Sequence, residues 1–169
     1  MNEIINNGKE VIRIEAEAIA DLQNSINEDF VNAVETIFTS SGRVVLTGMG
    51  KSGLIARKIV ATLNSTGTAA IYLHPTDALH GDLGMVRSED VVILISKSGE
   101  TEEISNLLPM LKRLNVKLIA MSGNKESKLA KECDIFLNIA VKEEACPYDL
   151  APTASTTATL ALGDALAVS

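Results

Sequence analysis

Five short, continuous apolar runs recur along this chain, each separated from the next by a segment that can hold a helix. The runs are Arg43 to Thr47 (RVVLT), Ala69 to Leu73 (AAIYL), Asp90 to Ser96 (DVVILIS), Lys117 to Met121 (KLIAM) and Asp134 to Ile139 (DIFLNI). A strand with one wet face alternates apolar and polar residues, whereas a strand that is apolar throughout is covered on both faces. Helices are predicted over Lys51 to Ser65, Glu102 to Leu114, Ser127 to Glu132 and from about Ser155 onward. Strand and helix alternating in this way build a parallel sheet. The expected fold is a three-layer α/β/α sandwich around a five-stranded parallel sheet in the flavodoxin-like order 2-1-3-4-5. Two more helices precede it. One is predicted from Asn2 to about Ser25, where Ile5, Val11, Ile12, Ile14, Ala18, Ile19 and Leu22 keep helical spacing, and one from near Asn27 to the Ser40-Ser41-Gly42 stop.

Composition agrees with one domain of this class. The chain has 169 residues, 46% of them apolar, enough for a single core without a disulfide or structural metal. Three Phe, two Tyr and no Trp leave that core to Val, Ile, Leu and Ala. A net charge of −7 argues against nucleic acid as a partner, because that affinity comes from clustered Lys and Arg. Cys133 and Cys146 form neither a zinc spacing nor a disulfide framework, and read as unpaired thiols in a reducing cytoplasm. The N-terminus lacks the basic start and apolar run of a signal peptide. No apolar stretch approaches the ~18 residues of a membrane span.

In open sheets of this type, ligands bind beyond the carboxyl ends of the strands, near the switch point between the first and third. Two loops fall there. The first, Thr47 to Gly53 (TGMGKSG), joins a strand to a helix; its glycines allow close backbone approach and the helix start offers N–H groups to an anion. It is not a Walker A loop, because the glycine required five residues before Gly50 is replaced by Val45. Gly48, Gly50 and Gly53 do fit the dinucleotide spacing, but the acid expected at the end of the next strand is absent; that strand ends Tyr72-Leu73-His74-Pro75. The second loop is Ser96-Lys97-Ser98-Gly99-Glu100-Thr101, followed by a helix. One hydroxyl there would be a helix cap. Three hydroxyls around a glycine, facing a second glycine-rich loop, suit a phosphate monoester.

These residues resemble the sugar isomerase (SIS) domain family, and within it the D-arabinose-5-phosphate isomerases. The resemblance runs through GKEV near the start, GMGKSG, STGT, HGDLGMV, SGET, EEACP and LAPTASTTATLALGDALAV, and covers essentially the whole chain. It implies interconversion of D-ribulose 5-phosphate and D-arabinose 5-phosphate through an enediol, feeding Kdo synthesis, without metal or organic cofactor. Such chemistry requires a base beside the carbonyl and donors for the developing oxyanion. Carried over position by position, the catalytic candidates are Lys51, His80, Glu103 and Glu144, with Gly50, Ser52, Ser96, Ser98, Gly99 and Thr101 binding substrate.

Each candidate has a role and a competing explanation. Lys51 would meet the phosphate or the enediolate oxygen; a merely solvated lysine is disfavoured there, since a cation opposes the dipole at a helix start. His80 can exchange a proton near neutral pH, for ring opening or proton transfer; His74, beside Pro75, is read as structural. Glu144 is the preferred base for the carbon-bound proton, although Glu143 beside it makes a solvated charge run an alternative. Glu103 lies in the first turn of a helix, where an acid is favourable in any case. The hydroxyls from Thr153 to Thr157 can cap the last helix and touch substrate. The resemblance further implies a homodimer or homotetramer with shared sites, a continuation containing Ser-His-Pro-Gly-Gly whose histidine takes part in catalysis, and in many members a paired CBS module. The sequence stops short of both, so a single SIS domain of a longer protein is expected. Two alternatives stay open: isomerisation of a heptulose or hexulose phosphate, and phosphosugar sensing without catalysis.

Overall fold

The computed structural model describes residues 2–169. Its elements run α1 (Asn2–Asp21), α2 (Glu28–Thr39), β1 (Val44–Gly48), α3 (Gly50–Ser65), β2 (Ala70–Tyr72), α4 (Pro75–Leu79), β3 (Val91–Ile95), α5 (Glu102–Arg113), β4 (Lys117–Ser122), α6 (Lys128–Glu132), β5 (Ile135–Asn138) and α7 (Ala154–Val168). The five strands form one parallel sheet in the order β2-β1-β3-β4-β5, as the apolar runs predict. β1 and β3 pair in register from Val44 opposite Val91 to Gly48 opposite Ile95, so the two loops singled out in the sequence leave the sheet side by side.

Continuous apolar strands are explained by the two faces they serve. Val44, Leu46, Val91, Ile93, Ile95, Ile119 and Met121 pack with Phe30 and Ala33 of α2, Ala56, Ile59 and Leu63 of α3, and Ala158, Leu162 and Leu166 of α7. Their alternates, Val45, Val92, Leu94, Leu118 and Ala120, pack on Ala78 of α4, Ile104, Leu107, Leu108 and Leu111 of α5, and Leu129 of α6. On the first face α3 and α7 approach closely at Gly163, where any Cβ would overlap the side chain of Ile59. At the opposite, amino edge of the sheet, buried Asp90 accepts from the N–H groups of Arg43 (2.8 Å) and Arg87 (2.9 Å). Burial alone would raise its pKa, but these bonds and the Arg43 guanidinium hold the carboxyl below the usual range.

The ends of the elements follow local chemistry. Asn27 caps α2 by accepting from the N–H groups of Asp29 (2.9 Å) and Phe30 (3.3 Å), close to where the sequence predicts the start. The first predicted helix ends instead at Asp21, its last four residues tightening into a 3₁₀ turn, Leu22–Ser25. One helix escaped the sequence reading. His74-Pro75 does not merely end β2: Pro75 opens α4, whose C-terminal boundary residue is His80. Proline suits a first helical position, where its missing N–H is not needed.

Candidate active site

Three of the helices that start at the carboxyl edge of the sheet, α3, α5 and α7, build the site from different materials. β1 passes into α3 through Met49 and Gly50, the latter in the left-handed region at φ +54°. Gly53 is buried against the preceding strand, where a Cβ would lie 2.5 Å from the Gly48 carbonyl oxygen and 2.6 Å from the Tyr72 hydroxyl. Tyr72 donates to that same carbonyl at 2.8 Å, with the Arg57 guanidinium 4.0 Å above its ring. This packing, which the glycine spacing alone could not reveal, fixes the turn that presents exposed Lys51 and half-buried Ser52.

The second loop is organised from within. Ser96, 2% exposed, places its Oγ 2.7 Å from Thr101 Oγ1 and accepts from the Gly99 N–H at 3.0 Å. Gly99 sits at φ +71°, and a Cβ there would overlap Ser127. Its carbonyl accepts from the Leu129 N–H at 3.2 Å, so α6 braces the loop from behind. Ser98 is exposed; its Oγ accepts from the Glu100 N–H at 3.2 Å, leaving the hydroxyl proton free to donate outward. The three hydroxyls thus divide into a pair that shapes the loop, Ser96 buried and Thr101 half-buried, and one that faces solvent. Glu103, half-buried in the first turn of α5, makes no side-chain hydrogen bond among the described residues.

Glu144 stands in a third environment. Its side chain is 1% exposed, and both oxygens are occupied. Oε1 accepts from Lys97 Nζ at 2.6 Å and from the Ser155 hydroxyl; Oε2 accepts from the N–H groups of Thr153 (2.8 Å) and Ser155 (3.1 Å) and from the Thr153 hydroxyl (3.2 Å). Burial would raise its pKa, but the Lys97 ammonium, the Ser155 hydroxyl and the backbone donors together bring it down to about 2. Such a carboxylate stays ionised and has no free lone pair, which suits an anchor better than a proton acceptor near neutral pH. Thr153 and Ser155 are the hydroxyls of the run expected to cap the last helix. Their N–H groups do meet an acceptor, but it is the carboxylate of Glu144.

His80 is exposed at the end of α4, followed by Gly81 at φ +134°, and among the described residues no side-chain hydrogen bond ties it to the loops. The structure therefore links Ser96, Gly99 and Thr101 into one cluster and Glu144, Lys97, Thr153 and Ser155 into another. Lys51, His80 and Glu103 keep their side chains unengaged by the described residues. Lys97 was passed over in the sequence, although its place between two serines of a phosphate-type loop was the available signal. Of the cysteines, Cys133 is pushed up to about 12 by burial, chiefly, and by Asp134, and so is an inert thiol. Among the described residues no group of three or more His, Cys, Asp or Glu is placed to hold a metal ion. No helix among them is long and apolar enough to cross a membrane.

Comparison with known proteins decides the family. The SIS domain model matches residues 37–169, most of the chain. This chain belongs to the SIS domain family. Within that family, arabinose 5-phosphate isomerase KdsD of Salmonella typhi is 56% identical over 161 residues, covering 95% of this chain and 49% of that protein. KdsD of Pseudomonas aeruginosa is 51% identical over 166 residues, covering 98% of this chain and 51% of its own length. This SIS chain thus spans about half the length of the curated relatives it matches. Among solved structures, E. coli CFT073 c3406 in complex with arabinose 5-phosphate superposes with a TM-score of 0.95 at 44% identity, covering 99% of this chain and 89% of that one.

Proposed function

We propose that this SIS domain is the isomerase portion of an arabinose-5-phosphate isomerase, interconverting D-ribulose 5-phosphate and D-arabinose 5-phosphate through an enediol. The observation that carries the reading is 56% identity to a KdsD over 95% of the chain. The site supports it: two adjacent loops at a sheet switch point offer hydroxyls and N–H groups to a phosphate, with an unengaged cation, Lys51, in one and an unengaged carboxylate, Glu103, in the helix that follows the other. The two glycine-containing loops, 47–53 and 96–101, carry no aromatic residue for a nucleotide base to stack on. The c3406 neighbour, in complex with arabinose 5-phosphate, supports the same ligand class.

Ser52 and Ser98 hold the phosphate together with the N–H groups at Gly50 and the start of α5, while Ser96, Gly99 and Thr101 keep the second loop in shape. His80 serves ring opening or proton transfer. Glu103, exposed enough to reach a ligand and free of competing bonds, takes the carbon-bound proton more readily than Glu144, whose oxygens are filled. Lys51 stabilises the enediolate oxygen. No cofactor is invoked for these steps. The product supplies Kdo synthesis, in the cytoplasm, and the chain acts as the single SIS domain of a longer protein.

A homodimer or homotetramer with shared sites is part of the proposal. Ile5, Ile12 and Ile19 of α1, spaced seven residues apart along one face, are 49%, 68% and 43% exposed, and such an apolar stripe favours a partner surface. Light scattering on the purified chain tests this, and a monomer at all concentrations overturns it. The activity is tested by incubating the chain with D-arabinose 5-phosphate in deuterated water and following ketose and carbon-bound deuterium by NMR. Absence of both, also from the chain extended through the Ser-His-Pro-Gly-Gly segment of its relatives, overturns the isomerase reading. Saturable sugar-phosphate binding without exchange would favour sensing instead. Faster turnover of a heptulose or hexulose phosphate would reassign the substrate.

A further inference from the structure

We infer that Lys97 is a substrate-binding cation for the phosphate group and that Glu144 is the residue that positions it. This rests on the phosphosugar reading of the site. A phosphate monoester carries close to two negative charges near neutral pH. In the loop that would receive it, Ser96 and Thr101 are hydrogen-bonded to each other, and Ser96 also takes up the Gly99 N–H. Among its hydroxyls, Ser98 is the one left facing outward, and a neutral hydroxyl does not balance a dianion. Lys97 is the residue between Ser96 and Ser98.

The stem of Lys97 starts from a fixed point. Its carbonyl accepts from the Gly123 N–H at 2.9 Å and from the Ser122 hydroxyl at 3.4 Å. At the other end, Nζ lies 2.6 Å from Glu144 Oε1, while the side chain as a whole remains about half exposed, 49% against 1% for Glu144. An ammonium has three donors, so one bond to Glu144 leaves others to present to a ligand. Glu144 retains two hydroxyls and two backbone N–H groups as partners. Lys97 can therefore turn toward a phosphate without leaving a bare buried charge behind, a transfer that would be prohibitive if the lysine were the sole partner. Glu144 thus acts through Lys97 and never touches the substrate, whereas Lys97 touches the phosphate.

Calorimetric titration of the full chain with D-arabinose 5-phosphate and with inorganic phosphate tests this, D-arabinose being the uncharged control. Lys97→Met should weaken both phosphate ligands by the same factor, about tenfold to thirtyfold, as expected for one charge-assisted hydrogen bond. Lys97→Arg, which keeps the charge, should restore affinity to within about threefold, and Lys97→Met should leave D-arabinose binding unchanged, which a purely structural tie between loop and helix does not predict. Phosphate affinity unchanged in Lys97→Met overturns the inference while leaving the phosphosugar reading intact. Binding of neither phosphate ligand by the unmodified chain overturns that reading, and the role of Lys97 with it. The side-chain nitrogen resonance of Lys97 in the unmodified protein provides a check that needs no variant. It should shift on adding phosphate and not on adding D-arabinose, and a stationary resonance under saturating phosphate overturns the assignment.

Discussion

The N-termini of α5 and α7 open on the same edge of the sheet and treat negative charge in opposite ways. Both expose unpaired N–H groups and the positive end of a helix dipole. At α7 the chain fills the position itself: Glu144 is buried there and meets Thr153, Ser155 and Lys97. At α5 none of the described carboxylates reaches in, and an exposed hydroxyl and a left-handed glycine stand in its place. A helix start whose anion is built in serves stability, and one whose anion must arrive from solution serves binding. The two carboxylates expected to be catalytic therefore differ in kind, although in the sequence each is simply the second residue of an acid pair.

Emptying the filled site should have the largest effect. Glu144→Ala leaves several donors of Thr153 and Ser155 without an acceptor while half-exposed Lys97 turns to solvent, and unfolding in denaturant should show a loss of ~3 kcal/mol, at ~1–3 kcal/mol for each unsatisfied buried donor. Millimolar phosphate should recover part of it by occupying the vacated α7 terminus; recovery equal to that of the unmodified chain would mean the two termini are not comparable. Titration makes the same point without mutation. The Glu144 carboxyl falls from 4.5 to about 2 on folding, so its contribution is complete above about pH 5 and disappears as the pH drops through the folded value. The loss amounts to ~3 kcal/mol between those limits. Acid unfolding of Glu144→Gln should show a correspondingly shallower slope.

The open site should separate stability from binding. Ser96→Ala removes a buried hydroxyl that holds Thr101 and Gly99, costing ~1–3 kcal/mol in thermal or chemical unfolding. Ser98→Ala should leave stability within ~0.5 kcal/mol and weaken phosphate binding about tenfold. Equal effects of the two on stability would erase the division of labour between them. In kinetics, Glu103→Gln should lower kcat by at least a hundredfold if it takes the carbon-bound proton. Glu144→Gln should act mainly on KM. Smallest of all, the exposed pair between Lys58 of α3 and Asp164 of α7, 2.6 Å apart, should change stability by less than ~1 kcal/mol in Lys58→Met.

The fold was legible because both signals that define it are local. An apolar run reports that a strand is buried on two sides, and Asn27 reports a helix start through its own backbone preferences, whereas Pro75, which reads as a strand end, opens α4. The site was legible as far as loops and residue types go, since hydroxyls, glycines and a sheet switch point are all in the sequence order. What stayed hidden depends on contacts between distant segments. The partners that make Glu144 better suited to an anchor than to a base are Lys97, 47 positions away, and the turn at Thr153. Whether Ser96 or Ser98 faces outward depends on which of them the strand end buries. The contact of Gly53 with Tyr72 likewise joins a helix to a neighbouring strand and leaves no mark in the glycine spacing.

The close approach at Gly163 has a consequence at a distance. Ile59 and Gly163 each lie nine residues into their helices, counted from Gly50 and Ala154. At 1.5 Å per residue the contact sits ~13 Å below both starts, like the rivet of a pair of tongs. Adding one methyl group there would spread the jaws that carry Lys51 and Ser52 on one side and the Glu144 anchor on the other. The spacing of the two walls of the proposed site is thus written at a buried position away from it.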